Sequence, residues 1–312
     1  MATRFALVFP GQGSQTVGMM QAFAESAVVR ATFDEASAAL GQDLWQLVAG
    51  GPAEELNATV NTQPVMLTAA YAMYRAWQDA GGPEPALVAG HSLGEYTALV
   101  AAGVIAFRDA VPLVRFRAQA MQEAVPIGTG AMAALLGLDD DQVRAACAEG
   151  AQGEVVEPVN FNAPSQVVIA GHKAAVERAA EAAKRLGAKR AVMLPVSAPF
   201  HSSLLKPAAD RLAGRLADVA FASPRIPVVN NVDVAEVGEP AAIKAALARQ
   251  ACNPVRWVEV IRHMAGRGVT HVAECGPGKV LAGLTKRIEG SLQGFAITDP
   301  GSLAQALAAV QS

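Results

Sequence analysis

The feature that most constrains this chain is a serine, Ser92, flanked by glycines and placed between an apolar run and a helix-like pattern. The apolar run follows Pro85 and ends at Gly90, and a second glycine, Gly94, comes two residues after the serine. This G-x-S-x-G spacing is that of a nucleophile elbow, in which a strand turns sharply into a helix and exposes the serine hydroxyl. Both glycines are needed because a β-carbon would clash in so tight a bend. A chain with 28 glycines can show this spacing by chance, but the flanking patterns favour the nucleophile.

The composition predicts a globular protein and excludes several function classes. Of 312 residues, 52% are hydrophobic and 17% charged, which predicts a sizeable core in one large or two smaller domains. A net charge of −3 gives no electrostatic footprint for nucleic acid. The apolar run Phe5–Phe9 is too short for a signal peptide or a membrane span. Three cysteines without metal-site spacing favour reduced thiols in a cytoplasmic protein: Cys147, Cys252 and Cys275.

A glycine-rich loop follows the first predicted strand, Phe5–Phe9, and leads to a helix predicted from about Val17. The loop, Pro10-Gly-Gln-Gly-Ser-Gln15, lacks the Gly-Lys-Ser/Thr ending of a phosphate-binding loop, and Thr16 breaks the dinucleotide-binding spacing. A loop beside an elbow can instead supply the second backbone N–H of an oxyanion hole. An ordinary tight turn explains the loop equally well, so both interpretations stay open.

An arginine lies on the apolar face of the helix predicted from Arg108 to about Ala124. The apolar stripe of that helix consists of Ala110, Leu113, Val114 and Met121. Arg117 falls on the same stripe. A buried arginine must be paired or must await an anionic ligand, because an unpaired buried charge is strongly unfavourable. A side chain that snorkels to solvent is the alternative, and the spacing does not decide between the two.

Beyond residue 128 the order of the patterns indicates a separate subdomain. Strand, helix, strand, strand, helix and strand follow one another, which is the ferredoxin-like arrangement. These elements are strands at 131–138, 155–160, 166–170 and 190–196 and helices at 140–149 and 173–186. We therefore predict an α/β protein whose parallel-sheet core comprises 1–127 and 198–312, with a ferredoxin-like subdomain inserted at 128–197. Elements predicted in the core are a helix starting at Pro64, a helix after His201, a strand at 226–230, helices at 240–251 and 254–266, a strand at 270–274 and a helix after Gly278.

A serine nucleophile needs a general base, and the chain has five histidines. His91 adjoins the serine and is expected to face away from it. Histidines 172, 263 and 271 lie in helix or strand patterns and are interpreted as packing or surface residues. His201 lies on a loop between a predicted strand and a predicted helix, where catalytic bases of α/β scaffolds are found. We therefore rank His201 first.

The third member of such a triad is usually an acid between the serine and the histidine in chain order. Asp109 starts a helix, and the acidic run 139–141 resembles a solvated cap, so neither is persuasive. A backbone carbonyl can orient the imidazole instead. Gln250 lies in the last turn of a helix that must end before Pro254, where carbonyls have no intrahelical partner. The sequence does not decide between an acid and this carbonyl.

Taken together, the motifs of the chain resemble those of the malonyl-CoA:acyl carrier protein transacylases. The matching motifs are Phe9-Pro-Gly-Gln-Gly-Ser-Gln15, Asn61-Thr-Gln-Pro64, Gly90-His-Ser-Leu-Gly-Glu95, Arg115-Phe-Arg117, Phe161-Asn-Ala-Pro164, Phe200-His-Ser202, Asn230-Asn-Val-Asp233 and Glu274-Cys-Gly-Pro-Gly278. They follow the family order over essentially the whole chain, and they are specific only jointly. The resemblance implies an α/β-hydrolase-like core with an inserted ferredoxin-like subdomain and an active site in the cleft between them.

The resemblance also implies a reaction and roles for individual residues. Ser92 would be the acylated nucleophile and His201 its base, oriented by the Gln250 carbonyl. Further implied roles are oxyanion-hole amides at Gln12 and Leu93, binding of the malonyl carboxylate by Arg117, pocket lining by Gln63 and malonyl selection by Phe200. The reaction would be ping-pong transfer of malonyl from malonyl-CoA, through malonyl-serine, to the phosphopantetheine thiol of acyl carrier protein. It would supply fatty acid or polyketide extension in a cytoplasmic monomer, without metal, cofactor, nucleic acid or membrane.

Two other function classes fit parts of the sequence. A serine hydrolase such as an esterase or thioesterase shares the elbow and the base, but it has no use for Arg117 or the inserted subdomain. The second alternative is a non-enzymatic protein, a scaffold or interaction module with a degenerate site. A basic cluster on the subdomain either docks an acidic carrier protein or is a solvated helix end: Lys184, Arg185, Lys189 and Arg190.

Overall fold

The computed structural model describes residues 3–196 and 198–311 as an α/β structure with two separate sheets. In chain order the elements are β1 (Phe5–Phe9), α1 (Ala27–Leu40), α2 (Leu44–Gly50), α3 (Ala53–Asn57), α4 (Thr59–Asp79), β2 (Leu87–Gly90), α5 (Gly94–Ala101), α6 (Phe107–Glu123), β3 (Gly130–Leu136), α7 (Asp140–Ala151), β4 (Val156–Ala163), β5 (Gln166–His172), α8 (Lys173–Arg185), β6 (Arg190–Met193), α9 (Lys206–Ala217), β7 (Val228–Val229), α10 (Pro240–Gln250), α11 (Trp257–Gly266), β8 (His271–Cys275), α12 (Val280–Ile288), β9 (Gln293–Ile297) and α13 (Pro300–Gln311). Short 3-10 helices lie at Gln21–Phe23 and Ser203–Leu205.

The first sheet is fully parallel, with strand order β7-β2-β1-β8-β9. Its strand β1 is buried along its whole length because helices cover both faces of the sheet. Phe5, Leu7 and Phe9 pack into one core, whereas Ala6 and Val8 pack into the core on the opposite face. Apolar residues at consecutive positions are therefore required, as expected of a buried parallel strand. The predicted parallel-sheet core is confirmed.

The second sheet has the order β4-β5-β3-β6, and every neighbouring pair is antiparallel. The two crossover helices α7 and α8 pack on one of its faces around a separate apolar cluster. This confirms the predicted ferredoxin-like βαββαβ order. The sheet joins the core where Val255 N–H donates to Val159 O (2.8 Å) and Val255 O accepts from Phe161 N–H (3.0 Å). Ser197, where we placed the end of the subdomain, lies outside the described residues, and the domain limits stay predictions.

Two predicted helix starts are wrong. The chain at Val17 forms turns, because Gly18 is left-handed (φ +84°) and its N–H donates to Val48 O (2.7 Å); α1 begins only at Ala27. Pro64 is not at a helix start but inside α4. A proline there removes one helical hydrogen bond. Burial of α4 against its neighbours offsets that loss, since most of its side chains are inaccessible to solvent.

Other differences concern short or peripheral elements. The strand predicted at 226–230 is only the two-residue β7, and both β9 and α13 follow the last element that the sequence predicted. The helices predicted at 240–251 and 254–266 are α10 and α11. Among the helices of residues 3–196 and 198–311, none combines the length and apolarity needed to cross a membrane.

Candidate active site

Ser92 lies on the predicted elbow, between the end of β2 and the start of α5. Its backbone is left-handed (φ +52°), a strained conformation for a residue with a side chain. The two flanking glycines leave no room for a β-carbon. One added at Gly90 would lie 1.8 Å from the Gly94 carbonyl carbon, and one at Gly94 would lie 2.1 Å from Phe9 O. The strand, turn and helix that the sequence predicts are therefore present, and they hold the serine just beyond the carboxyl end of β2 in the parallel sheet.

We expect Gly94→Ala to lower the free energy of unfolding by about 3 kcal/mol, because the new methyl group overlaps backbone that cannot move aside. Chemical denaturation measures this change. Gly214→Ala is the matched control: Gly214 lies in α9 with nothing within 4 Å of an added β-carbon. That variant should instead be about 0.5–1 kcal/mol more stable. Equal effects at both positions would contradict the steric account of the elbow.

His201 bridges the serine and the end of α10. Its Nε2 is 2.7 Å from Ser92 Oγ, and its Nδ1 is 2.8 Å from the Gln250 carbonyl oxygen. A carbonyl can only accept, so Nδ1 carries the proton and Nε2 is free to accept the serine hydroxyl. The side chain is buried. Of the two orienting groups that the sequence left open, the structure places the Gln250 carbonyl against this imidazole.

Burial and, to a smaller extent, the positive charge of Arg117 together lower the pKa of His201 to about 3. The imidazole is therefore neutral at physiological pH, as a proton acceptor must be. It becomes protonated only at a cost, because the imidazolium would lie in a buried site beside a guanidinium.

This lowered pKa predicts an acid-sensitive contribution to stability. Below pH 6.5, the ordinary pKa of histidine, His201 binds a proton in the unfolded state but stays neutral in the folded state down to about pH 3. The folded state therefore loses stability relative to the unfolded state as the pH falls from 6.5 toward 3. Between pH 6.5 and 5 we expect the wild type to lose about 2 kcal/mol relative to His201→Gln. Denaturant titrations of both proteins measure that difference, in which the other titrating groups cancel. A pH-independent difference would contradict the assignment.

Arg117 is buried beneath the serine, with 1% of its surface exposed. Nη1 donates to Gln63 Oε1 (2.9 Å), and Nη2 donates to Gln250 Oε1 (2.9 Å) and to Ser92 Oγ (3.2 Å). The guanidinium also lies 5.4 Å from the centre of the Tyr96 ring. The interpretation that the Arg117 side chain snorkels to solvent is therefore wrong. Within the described part of the chain no acid forms an ion pair with Arg117, and its buried Nε has no partner.

The predicted oxyanion loop closes over the elbow. A β-carbon at Gly11 would lie 2.7 Å from the His91 carbonyl oxygen, so the loop approaches within backbone contact of the elbow. The side chain of Gln12 accepts from Gln63 Nε2 (3.1 Å). This contact joins the loop to the residues around Arg117. The amide of Leu93 follows the serine at the start of α5.

Phe200 precedes the base and lies between the two parts of the molecule. It is half-buried and packs against both the main core and the apolar face of the antiparallel sheet, which includes Met132 and Val168. This position places an aromatic ring at the junction where the cleft is expected, next to His201.

The other residues that the sequence analysis considered for the base, the acid or carrier docking make their contacts elsewhere than at Ser92. His91 faces away from Ser92 and contacts Asn162 Oδ1 through Nε2 (2.7 Å). Asp109 lies beside Arg108, and Asp139 caps α7. In the basic cluster, Lys184 pairs with Glu181 (2.6 Å) and Arg185 with Glu149 (2.5 Å).

Two buried polar residues that the sequence did not single out complete the site. Asn231 Oδ1 accepts from Ser92 N–H (2.8 Å), and its Nδ2 donates to Gly90 O (2.8 Å). Glu95 Oε2 accepts from Gln250 Nε2 (2.9 Å) and from Asn231 N–H (3.0 Å). Both residues lie inside the motifs quoted above. The available signal was an acid, Glu95, in an otherwise uncharged helix directly after the elbow.

Comparison with known proteins identifies relatives over nearly the whole chain. The family model described as "Acyl transferase domain" matches residues 6–291. The chain is 61% identical over 306 residues to the malonyl CoA-acyl carrier protein transacylase of Escherichia coli K12, covering 98% of this chain and 99% of the relative. An acyl-carrier-protein S-malonyltransferase from Burkholderia pseudomallei has 71% identity and a TM-score of 0.97, covering 98% of this chain and all of the other. A malonyl-transacylase solved with its type II polyketide acyl carrier protein has 55% identity and a TM-score of 0.97 over 98% of this chain and 100% of the other.

Proposed function

The chain belongs to the acyl transferase family, among the malonyl-CoA:acyl carrier protein transacylases, and from this premise we propose that it transfers malonyl from malonyl-CoA to the phosphopantetheine thiol of acyl carrier protein. One observation supports this proposal most strongly. The buried guanidinium of Arg117 lies 3.2 Å from Ser92 Oγ and forms no ion pair with any acid of the described residues. A nucleophile with a base serves any acyl group, whereas a buried cation beside it selects an acyl group that brings its own carboxylate.

The first half-reaction acylates the serine. Ser92 Oγ attacks the thioester carbonyl of malonyl-CoA while His201 Nε2 takes the hydroxyl proton. The backbone amides of Gln12 and Leu93 donate to the oxyanion. The C–S bond then breaks, and the departing coenzyme A sulfur receives the proton from His201. Malonyl remains as an ester on Ser92.

The second half-reaction repeats these steps with a different thiol. The phosphopantetheine thiol of the carrier protein gives its proton to His201 and attacks the malonyl-Ser92 ester. The ester C–O bond breaks, and Ser92 Oγ recovers the proton from His201. The products are malonyl-carrier protein and free enzyme. The cycle consumes no water and involves no oxidation or reduction.

Binding of the malonyl carboxylate to Arg117 has two effects in this scheme. Its planar fork binds a carboxylate through two hydrogen bonds, which acetyl cannot offer. In the free protein the charge of Arg117 also lowers the pKa of His201. A bound carboxylate neutralises that charge and makes the imidazolium easier to form. The substrate thereby strengthens the base that its own reaction requires. Phe200 at the cleft would exclude an α-methyl branch, an effect worth about 1–3 kcal/mol.

Intact-protein mass spectrometry with a panel of acyl-CoAs tests the proposal. Malonyl-CoA should give a malonyl adduct that persists in water and is discharged by holo acyl carrier protein. Rapid release of free malonate, independent of carrier protein, would instead identify a serine hydrolase. A protein that forms no adduct with any acyl-CoA would be a scaffold with a degenerate site.

We further propose that the protein acts as a cytoplasmic monomer. All groups assigned to the reaction come from one chain, so the site needs no second copy. The three cysteines are free thiols, as is usual in a reducing compartment. Light scattering of the purified protein measures its mass in solution, and a stable dimer would contradict the monomer.

A further inference from the structure

We propose that Glu95 is a positioning residue for the transfer reaction: its buried carboxylate fixes Gln250 and Asn231 and serves as the counter-charge of Arg117. The inference rests on the proposed function. It concerns a residue whose side chain accepts hydrogen bonds from Gln250 and Asn231 rather than from Ser92 or His201. Glu95 acts instead through the groups that contact Ser92 and His201.

The first support is a continuous chain of hydrogen bonds from the cation to the carboxylate. Arg117 Nη2 donates to Gln250 Oε1, and Gln250 Nε2 donates to Glu95 Oε2, each at 2.9 Å. The same Gln250 Nε2 donates to Ser92 O (2.9 Å), and the Gln250 carbonyl accepts from His201. Gln250 is therefore held at both ends. Without the bond to Glu95, the side chain of Gln250 is held only by Arg117 and by the Ser92 carbonyl.

The second support is the link from Glu95 to the nucleophile's own backbone. Glu95 Oε2 also accepts from Asn231 N–H (3.0 Å). Asn231 in turn accepts from Ser92 N–H and donates to Gly90 O through its side chain. One carboxylate oxygen thus anchors two residues that hold the elbow, Asn231 at the Ser92 N–H and Gln250 at the Ser92 carbonyl. Because Ser92 has a strained backbone, such a clamp is needed to keep its hydroxyl in place.

The third support is charge. The groups that act electrostatically on Glu95 are Arg117 on α6, which favours the carboxylate, and Asp233 after β7, which opposes it. Asp233 pairs with Arg249, whereas Arg117 forms no ion pair with any acid of the described residues. Glu95 is buried and is therefore screened little by solvent. Its charge offsets that of Arg117 and so favours formation of the His201 imidazolium during transfer.

This arrangement predicts which group's ionisation sets the pH dependence of the acylation rate. Burial raises the pKa of Glu95 to about 7, despite hydrogen bonds from Gln250 and Asn231 that lower it. The pKa of His201 lies far lower, at about 3. Near neutral pH the rate should therefore rise with pH because Glu95 ionises, not because the histidine loses a proton. Below pH 6 the rate should reach a floor set by neutral Glu95.

The test is single-turnover malonylation of Ser92 by wild type and Glu95→Gln between pH 5.5 and 8.5. Glutamine keeps the shape and an acceptor oxygen but removes the charge. At pH 8 we expect acylation to be about tenfold slower in Glu95→Gln, equivalent to one pKa unit at His201. The variant's rate should not change with pH and should match the wild type at pH 5.5. The KM for malonyl-CoA should be unchanged or lower, because the site becomes more positive.

Glu274→Gln is the matched control. Glu274 is equally buried, its pKa is also raised to about 7 by burial, and its Oε2 accepts from Ala282 N–H at the start of α12. This variant should keep the wild-type rate and pH profile. A wild-type profile in Glu95→Gln, a higher KM with an unchanged rate constant, or the same loss in both variants would overturn the proposal.

A measurement on the wild type covers the case in which Glu95→Gln does not fold. In the free protein the Glu95 carboxyl ¹³C shift should titrate between pH 6 and 8, while the His201 ¹⁵N shifts stay those of a neutral ring. Titration of His201 in that range, or none at Glu95, would overturn the inference. If the wild type forms no malonyl-enzyme, the proposed function fails and the inference fails with it; if the wild type is malonylated and Glu95→Gln keeps its rate and pH profile, only the inference fails.

Discussion

Ser92→Ala is expected to abolish the malonyl adduct and to lower transfer by at least about 10⁴-fold, because the hydroxyl that forms the ester and is paired with the base is removed. The folded protein should survive the change. Arg117 keeps its hydrogen bonds to Gln63 and Gln250, and alanine meets the same left-handed backbone as serine does. The measurements are intact mass after incubation with malonyl-CoA and the rate of malonyl transfer to holo carrier protein.

Ser165→Ala provides the matched control for Ser92. Ser165 is also a serine in left-handed backbone (φ +61°), but it lies in the exposed turn between β4 and β5. That variant should be labelled like the wild type. Adduct that persists in Ser92→Ala would place the acyl group on another residue and contradict the mechanism.

Arg117→Ala is expected to lower the selectivity of the protein for malonyl over acetyl. Loss of one partner from a desolvated charge pair costs about 2–5 kcal/mol. At about 1.4 kcal/mol per factor of ten, malonyl transfer should fall by about 30- to 4000-fold. Acetyl transfer, which makes no use of the guanidinium, should change far less. The malonyl:acetyl ratio of kcat/KM measures the effect directly.

The neighbouring Arg115 supplies the control for a missing arginine on the same helix. It is half-buried, and its Nη2 donates to Gln42 Oε1 and to Asn61 Oδ1 rather than to the serine. Arg115→Ala can lower stability without changing the malonyl:acetyl ratio. An unchanged ratio in Arg117→Ala would show that the guanidinium does not bind the substrate carboxylate.

Local sequence patterns were sufficient for the elbow, for the loop that carries His201 and for the antiparallel sheet, whereas in the parallel sheet they missed β9. The elbow is contained in five residues and depends on short-range sterics, and the strand and helix periods of the subdomain are equally local. Prediction from local patterns failed where packing overrides propensity. Pro64 is typical of a helix start, yet burial of α4 keeps it in the helix interior.

The sequence by itself determined that Ser92 lies on an elbow, that His201 follows on a strand-end loop and that an arginine shares an apolar stripe. Only the tertiary structure decided that Arg117 is buried against Ser92, that the Gln250 carbonyl orients the base and that Glu95 lies behind both. The reason is the range of the contacts. Gln250 donates to the backbone of a serine 158 positions away, and such a hydrogen bond exists only after the sheet and its helices have packed.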